Sequence, residues 1–506
     1  MVGAQGAGAS AAALLATWAG ADVDGCDPGG PSPYTPALDA AGVTVAGSHD
    51  PAHVRAPGTR PPERLAVTKA LTAIDPDNSE LAAARAAGVP LEPWQQVVAD
   101  AAFGRQLMAV AGTHGKSTTS GWLVHVLTVG GADPGAFVGA LLPADETGIG
   151  LPATARRGSG RPFVVEADEY AGNFDPYRPD VIVLTSAEWD HPDVFADGEA
   201  VIAAFEAWIR RAGEGRVHGD GLTLVANVAD AGVEALVLRL GGWPGRILGT
   251  AVLPAGGAGT SGADSGATAA AIEARFASAA GPATALVGRI TGAERDATVV
   301  EVVGLDAGAP REPWVVRLST AGRHNAANAL GVAGAALAAG LTPDAIVAGL
   351  ASFGGVGRRL ERKGEARGVV VYDDYGHHPT AIRETLAAVR QREPARRVWA
   401  VYEPLTYHRT AALLEAFAQA LAAADGVAIA QIWAGRDPDT TVASATALAE
   451  AVARRNPAIA AAAPGTVEET AAWLATQVHD GDVVLVMGGG RSYRIGELLL
   501  EHLEAT

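Results

Sequence analysis

The chain has 506 residues, 38 of them basic and 56 acidic for a formal charge of −18, and a single cysteine, Cys26. That length suggests about three domains. The negative balance argues against nucleic acid or an anionic membrane surface as a bulk partner, and one thiol excludes a disulfide framework or a Cys-rich metal site. The small, apolar stretch from Val2 to Ala21 has no Lys or Arg before Arg55 and so does not read as a secretion signal, and no apolar run is long and hydrophobic enough to span a bilayer. The expectation is a cytoplasmic globular protein with no membrane or nucleic-acid partner.

Met1-Val2 leads into a glycine-rich turn, Gly3-Ala4-Gln5-Gly6-Ala7-Gly8. A helical pattern follows through Trp18, and then a second strand, Val23 to Cys26, ends in Asp27. Strand, glycine turn, helix and strand-end acid outline a nucleotide-binding βαβ half, although the spacing G-x-x-G-x-G differs from G-x-G-x-x-G. Only two residues precede the turn as strand, which allows for a start further upstream. Asp27 reads either as an acceptor for a ribose or base, or as a polar strand end. Leu65 to Ala73 and Val89 to Leu91 read as short strands, separated by the Asp75-Pro76-Asp77-Asn78 turn and a helix from Glu80. A first domain over residues 1–105 follows.

The stretch from Arg105 to Gly131 carries the most chemistry. Leu107, Met108 and Val110 form a buried strand, Gly112 breaks it, and Trp122, Leu123, Val126 and Leu127 recur at helical spacing. The loop between them, Gly112-Thr113-His114-Gly115-Lys116-Ser117-Thr118, ends in the Gly-Lys-Ser of a phosphate-binding loop. Backbone N–H groups and a helix N-terminus would face the anion, Lys116 would reach the terminal phosphates and Ser117 would hold Mg²⁺. Val110 stands where the strict motif has its first glycine, so a glycine-rich turn with a solvated lysine stays open beside this reading. Further on, the apolar strands Phe163 to Val165 and Val181 to Leu184 lead into Glu166, Asp168 and Glu169, and into Glu188, Asp190 and His191. They deliver these groups to the carboxyl edge of a parallel sheet, where a metal site is plausible. Pro254 to Thr268 has nothing to bury and reads as a flexible surface insertion. The β-rich run Ala285 to Leu318 closes a second domain, residues 106–320.

The remainder, residues 321–506, alternates helices and strands as a third small α/β domain. It opens with Arg323-His324-Asn325 and a helix carrying Asn328. It continues through Arg358-Arg359, and a strand from Val369 ends in Asp373-Asp374-Tyr375-Gly376-His377-His378-Pro379.

The ordered motifs GTHGKST, EADEY, AEWDHPD, GRHNAANAL, GVGRRLE, DDYGHHPT and VVLVMGGG resemble the Mur ligase family over essentially the whole length. The pattern is most like the branch that joins L-alanine to UDP-N-acetylmuramate. The resemblance implies a Rossmann-like N-terminal domain that binds the UDP-sugar, a central P-loop ATP-binding domain, and a Rossmann-like C-terminal domain that binds the amino acid. It implies ATP and Mg²⁺ as cofactors and a monomer or homodimer. The reaction implied is transfer of the γ-phosphate to the sugar-nucleotide carboxylate, then displacement of phosphate from the acyl phosphate by the amine. Two relatives stay open as alternatives: a ligase that recycles a whole murein tripeptide onto the same sugar nucleotide, and a nucleotide-binding protein that ligates nothing.

Residue by residue, the resemblance assigns Lys116 to the β/γ-phosphates and Ser117, Glu166 and His191 to metal. His324, Asn325 and Asn328 match nucleotide contacts, or are simply a polar helix start. Arg359 matches a phosphate-facing arginine and Asp374 the acid on the ATP ribose. His377 and His378 lie where the amino acid enters, one of them orienting the amine or taking its proton, or both serving as turn residues. Arg409 resembles the clamp on the amino-acid carboxylate. Gly3, Gly6, Gly8, Ser10 and Asp27 match the UDP-sugar site. The chain departs from the family pattern at Gln5, Ser186, Glu403, Leu405, His408 and Arg491-Ser492, which leaves the ATP half intact and puts the amino-acid specificity in question.

Overall fold

Three parallel-rich sheets follow one another along the chain. The computed structural model describes residues 1–55, 60–218, 220–253, 262–280, 283–306, 309–310, 312–435, 437 and 439–505. In the first sheet Val2 forms parallel bridges to both Cys26 and Val67. It thereby joins the pair Asp24–Cys26 and Thr44–Ala46 to the pair Leu65–Val67 and Leu91–Pro93. The helix Ala7–Trp18 packs behind the glycine turn against Trp94–Ala101 and against two central strands, Gly135–Leu142 and Ala153–Arg156. Small residues permit this approach: a Cβ on Gly8 would lie 2.2 Å from the Trp94 ring. The strand expected from Leu65 to Ala73 stops at Val67, because Thr68 caps a helix over Lys69–Ile74 by accepting from the Leu71 N–H.

The central sheet has eleven strands. Gln106–Ala111 lies between Pro162–Ala167 and Val181–Leu184, parallel to both. On one side the sheet continues through Thr223–Asn227, Arg246–Val252 and Ala283–Glu294, and on the other through Gly135–Leu142 and Ala153–Arg156. Strand order therefore reverses at Gln106–Ala111, and the crevice beyond its carboxyl end is where such sheets bind ligands. Its side chains alternate between two cores. Met108 and Val110 join Trp122, Leu123 and Leu330, while Leu107 and Ala109 join Phe205 and Trp208. Burial on both faces is why the strand reads as an unbroken apolar run.

Two expectations about this middle region are corrected. The helices Arg323–Ala338 and Pro343–Ser352 cluster through Ala326, Leu330, Ile346 and Leu350 with Met108 and Val164 of the central sheet. Packing thus keeps the chain with the central sheet as far as Val356, past the expected division at residue 320. The polar start at Arg323-His324-Asn325 begins a helix that the sheet buries. The expected insertion also divides. Pro254 to Ser261 lies outside the described residues, whereas Gly262–Ala280 is helical and packs against Ala283–Glu294, burying Ala269 and Phe276. Its alanine content explains the helix despite the low complexity.

The third sheet runs in the order Glu361–Ala366, Val369–Asp374, Val483–Gly488, Val398–Glu403, Gly426–Ala430, Ala460–Gly465, parallel except for its first strand. Its Val369–Asp374 strand ends facing the carboxyl edge of the central sheet, which brings the two polar edges together over the phosphate loop. Among the described residues no helix is long and apolar enough to cross a membrane.

Candidate active site

The loop from Gly112 is shaped by contacts that only glycine permits. Gly112 holds φ +137°, and a Cβ there would lie 2.1 Å from Thr185 Oγ1; Gly115 holds φ +83°, with Asn328 Oδ1 2.8 Å from where its Cβ would be. The Thr113 N–H donates to the Ser186 carbonyl (3.2 Å) and the His114 N–H to Ser186 Oγ (3.0 Å). The helix Lys116–Val129 then begins on Gly115 with no side-chain cap, leaving its first-turn N–H groups to an anion. Lys116 Nζ donates to the Gly112 carbonyl (2.6 Å) and to Glu169 Oε2 (2.9 Å), with Asp168 Oδ1 at 3.8 Å. Burial works against its charge, but Glu169 and Asp168 prevail and hold the ammonium above its ordinary pKa.

Glu166 Oε1 accepts from Ser117 Oγ (3.0 Å) and Oε2 from the Gly139 N–H (2.7 Å). Asp168, Glu169 and His191 bring one ligand atom each within 4.8 Å of one another. The resemblance paired Glu166 with His191; the group that closes to ligand spacing around His191 is Asp168 and Glu169, with Glu166 turned to Ser117. His191, Arg358 and Thr406 all hold positive φ, at 55°, 57° and 62°, the kind of backbone strain that collects at functional sites.

The third sheet supplies the opposite wall. Arg359 Nη2 donates to Ser117 Oγ (2.8 Å), and its guanidinium lies 5.1 Å from the Tyr375 ring centre. Arg358 turns away, bonding Asp373, the Gly488 carbonyl and Ser492 Oγ. Arg409, 3% exposed, sets Nε 2.8 Å from Asp190 Oδ1 and Nη2 2.9 Å from His191 Nδ1. Its Nη1 has no hydrogen-bond partner among the described residues. Burial raises the pKa of Asp190, yet Arg409 and the surrounding histidines bring it well below the carboxylate range. His377, with Nδ1 3.0 Å from the Tyr375 carbonyl oxygen, is driven well below the usual imidazole value by burial and by Arg409. His378 stacks on His114 at 5.2 Å and sets Nε2 3.2 Å from the Trp189 carbonyl oxygen. Asp374 accepts from the Leu360 and Gly376 N–H groups (2.8 and 2.7 Å).

A cleft of about 960 Å³ unites these groups. It is lined by Thr113, His114, Gly115, Lys116, Ser117, Thr118, Glu166, His191, His324, Asn328, Arg359, Asp374, His377, His378 and Arg409. Gly112 and Asn325 stand behind this wall, Asn325 donating to the Ala321 carbonyl (2.8 Å). Gly3, Gly6, Gly8, Ser10 and Asp27 do not line it. Ser10 is buried, sharing a hydrogen bond with Thr154, and Asp27 accepts from the Gln5 and Gly29 N–H groups. Gln5 in turn accepts from the Ser32 and Thr35 hydroxyls (2.9 and 2.8 Å). Of the departures, Ser186 and Leu405 line the cleft, but His408 pairs with Asp437 (3.3 Å) outside it.

Family models described as "Mur ligase family, catalytic domain" and "Mur ligase, glutamate ligase domain" match residues 1–105 and 358–490. A UDP-N-acetylmuramate–L-alanine ligase of Kineococcus radiotolerans is 37% identical, covering 99% of this chain and 95% of its own. The chain belongs to the Mur ligase family. Among solved structures, a UDP-N-acetylmuramate-alanine ligase from Thermotoga maritima is similar with a TM-score of 0.73 at 22% identity, covering 100% of this chain and 98% of that one. A murein peptide ligase from Psychrobacter arcticus follows at 0.69 and 23%, with 100% and 98% covered. At those identities the two structures carry the Mur ligase fold alone.

Three groups of this Mur ligase escaped residue-level assignment. Glu188 bridges His114 (3.2 Å) and Thr380 Oγ1 (2.7 Å), and is drawn down to about 2 against its burial by His114 and Thr380. Asp190 anchors Arg409. Asn227 ends its strand in the cleft, donating to the Thr185 carbonyl (2.9 Å), with Oδ1 buried and unpartnered among the described residues. All three sit at or just past the carboxyl ends of parallel strands, the one positional signal available for them.

Proposed function

We propose that the chain is an ATP-dependent ligase that joins L-alanine to the lactyl carboxylate of UDP-N-acetylmuramate through an acyl phosphate, supplying a peptidoglycan precursor in the cytoplasm. The observation that carries this reading is the convergence of Lys116, Arg359 and Arg409 from two different sheets on one cleft. Three fixed cations over an uncapped helix start suit a reaction in which every reactant carries a phosphate or carboxylate group. The proposed division is a UDP-sugar unit over residues 1–105, a central unit extending to Val356, and a third unit from 357.

In this scheme Lys116 exchanges Glu169 for the β/γ-phosphates, and the N–H groups from Gly115 to Thr118 cradle the chain of phosphates. His324 and Asn328 face the nucleotide and Asp374 its ribose, with Asn325 supporting Asn328 from behind. Arg359 faces the transferred phosphoryl group, where fixed charge is needed most. Gly3, Gly6, Gly8, Ser10 and Asp27 shape the sugar-nucleotide site, with Ser10 and Gly8 acting through packing. Ser117, Glu166 and His191 are suited to Mg²⁺, with Asp168 and Glu169 beside them, since the donors are hard oxygens plus one imidazole already drawn together; when bound, the ion neutralises charge between phosphate and carboxylate. Arg409 clamps the amino-acid carboxylate through Nη1, which has no hydrogen-bond partner among the described residues. His377, biased toward its neutral form by burial and by Arg409, accepts the proton the amine loses as the amide forms, with His378 orienting the amine.

The test is phosphate release with ATP, Mg²⁺, UDP-N-acetylmuramate and one amine at a time. L-alanine-dependent turnover is expected. Turnover with the murein tripeptide and none with L-alanine would replace the proposal with the recycling ligase. ATP binding without any acceptor-dependent turnover would leave a nucleotide-binding relative.

A further inference from the structure

Away from the cleft, on the far side of the glycine turn, three elements bring unlike donors together. Cys26 ends its strand with Sγ 3.1 Å from Glu80 Oε2 and 3.3 Å from His49 Nδ1. His49 Nδ1 is 3.5 Å from the same Glu80 oxygen, which closes the triangle. The other oxygen, Glu80 Oε1, lies 3.3 Å from His53 Nδ1. Cys26 and Glu80 are 1% and 2% exposed, whereas the His49 side chain keeps 16%, an entry path from solvent.

From these distances we propose that Cys26, His49 and Glu80 form a binding site for a divalent transition-metal ion, zinc foremost, with His53 or water in the fourth position. Thiolate, imidazole and carboxylate on a tetrahedral zinc ion, with bonds of about 2.3, 2.0 and 2.1 Å, stand about 3.3–3.6 Å apart; the observed edges of 3.1, 3.3 and 3.5 Å reach that face with a shift of about half an ångström in the sulfur–oxygen edge. One sulfur, one nitrogen and one hard oxygen is a donor set that zinc accepts and that Mg²⁺ does not favour. Glu80 is already held in place: it sits in the first turn of Ser79–Ala87, whose cap Asn78 accepts from the Glu80 and Leu81 N–H groups (3.1 and 3.4 Å). Among the described residues the hydrogen-bonding partners of the buried Glu80 side-chain oxygens are a thiol and two imidazoles, and a bound cation would compensate its charge directly.

The location gives the ion a task. Strands of three residues build the first sheet, and the core cluster containing Cys26, Val2, Leu81 and Ala84 is small. An ion would tie the strand Asp24–Cys26, the segment with His49 and His53, and the helix Ser79–Ala87 at one point, as metal clips do where a core is thin. The Gly3 and Ala4 N–H groups bond to the Cys26 carbonyl (2.9 and 3.2 Å), so the clip would sit directly behind the glycine turn.

Because Cys26 is the only cysteine of the chain, a thiolate signal reports this site alone. The full-length protein, freed of metal by chelator and kept in excess Mg²⁺, is titrated with Co²⁺. A thiolate-to-cobalt charge-transfer band that saturates at one equivalent and is bleached by one equivalent of Zn²⁺ is expected. No such band at stoichiometric Co²⁺ overturns the proposal, whatever happens at the nucleotide site. Cys26→Ser should abolish the band, and His49→Ala, checked for folding by circular dichroism, should weaken Zn²⁺ binding at least tenfold. A His49→Ala protein that binds Co²⁺ with unchanged band and affinity would also overturn it.

Discussion

Lys116 makes the sharpest prediction about the chemistry. Its ammonium is balanced by Glu169 and Asp168, so Lys116→Ala removes the proposed phosphate contact and also leaves the buried Glu169 and the more exposed Asp168 without their cation. Turnover should fall by roughly 10²–10³ or more, while calorimetric affinity for UDP-N-acetylmuramate stays within about twofold, since the first sheet is untouched. Equal loss of both would mean that the sugar nucleotide and ATP do not occupy separate units. Glu403 offers a test through pH. Burial pushes it up to about 7, despite backbone hydrogen bonds from Ser492 and Arg491. Unfolded, it would titrate near pH 4.3. Between those values the folded chain holds a proton that the unfolded chain releases, so the residue lowers stability as pH rises across the window. Glu403→Gln should therefore flatten the decline in melting temperature between about pH 5 and 8, and an unchanged slope would refute the assignment.

At the scale of elements, the contact between the first helix and Trp94 is the one most easily probed. Gly8→Ala would drive a methyl group into the indole, and overpacking of this kind costs about 1–3 kcal/mol. A denaturant midpoint lowered without a change of slope is the expected result; wild-type stability would show that the two elements are not in contact. This packing also marks where reading the sequence stops. The phosphate strand, its glycine break and the following helix are legible because Leu107 to Val110 and Trp122 to Leu127 each follow a single period. The helix at Lys69–Ile74 is not, because its apolar residues continue directly from the strand and only Thr68, as a cap, separates them. Residues 323–352 were assignable as helices from their alanine content, but not to a sheet, since Ala and Gly surfaces fit many partners equally well. Within the site, Lys116, Ser117 and Arg409 announce themselves by motif. Asp190, Glu188 and Asn227 depend on which strands lie side by side, and that is a property of the fold.

For the whole molecule, the cleft exists because two sheets meet across it. Arg359 with Ser117, Arg409 with Asp190, Thr380 with Glu188 and His378 with the Trp189 carbonyl link the third sheet to the second. Any opening that admits substrates would break these contacts together, and closure over the proposed nucleotide site would re-form them. Replacing both Arg409 and Glu188 by Ala and Gln should shift the protein toward open forms, seen as a larger radius of gyration by solution scattering; an identical scattering curve would mean other contacts hold the units together.

Position within the central sheet has a consequence for time. Gln106–Ala111 is flanked by parallel strands on both sides and buried on both faces, so its amides should be among the last in the chain to exchange with deuterium, opening only with the global transition. Glu361–Ala366, an edge strand, should exchange early. Protection should then fall abruptly at Gly112, one peptide past the end of that strand. The loop proposed to meet ATP would thus have the most slowly opening strand of the chain as its anchor, and whatever motion binding requires would begin at that glycine.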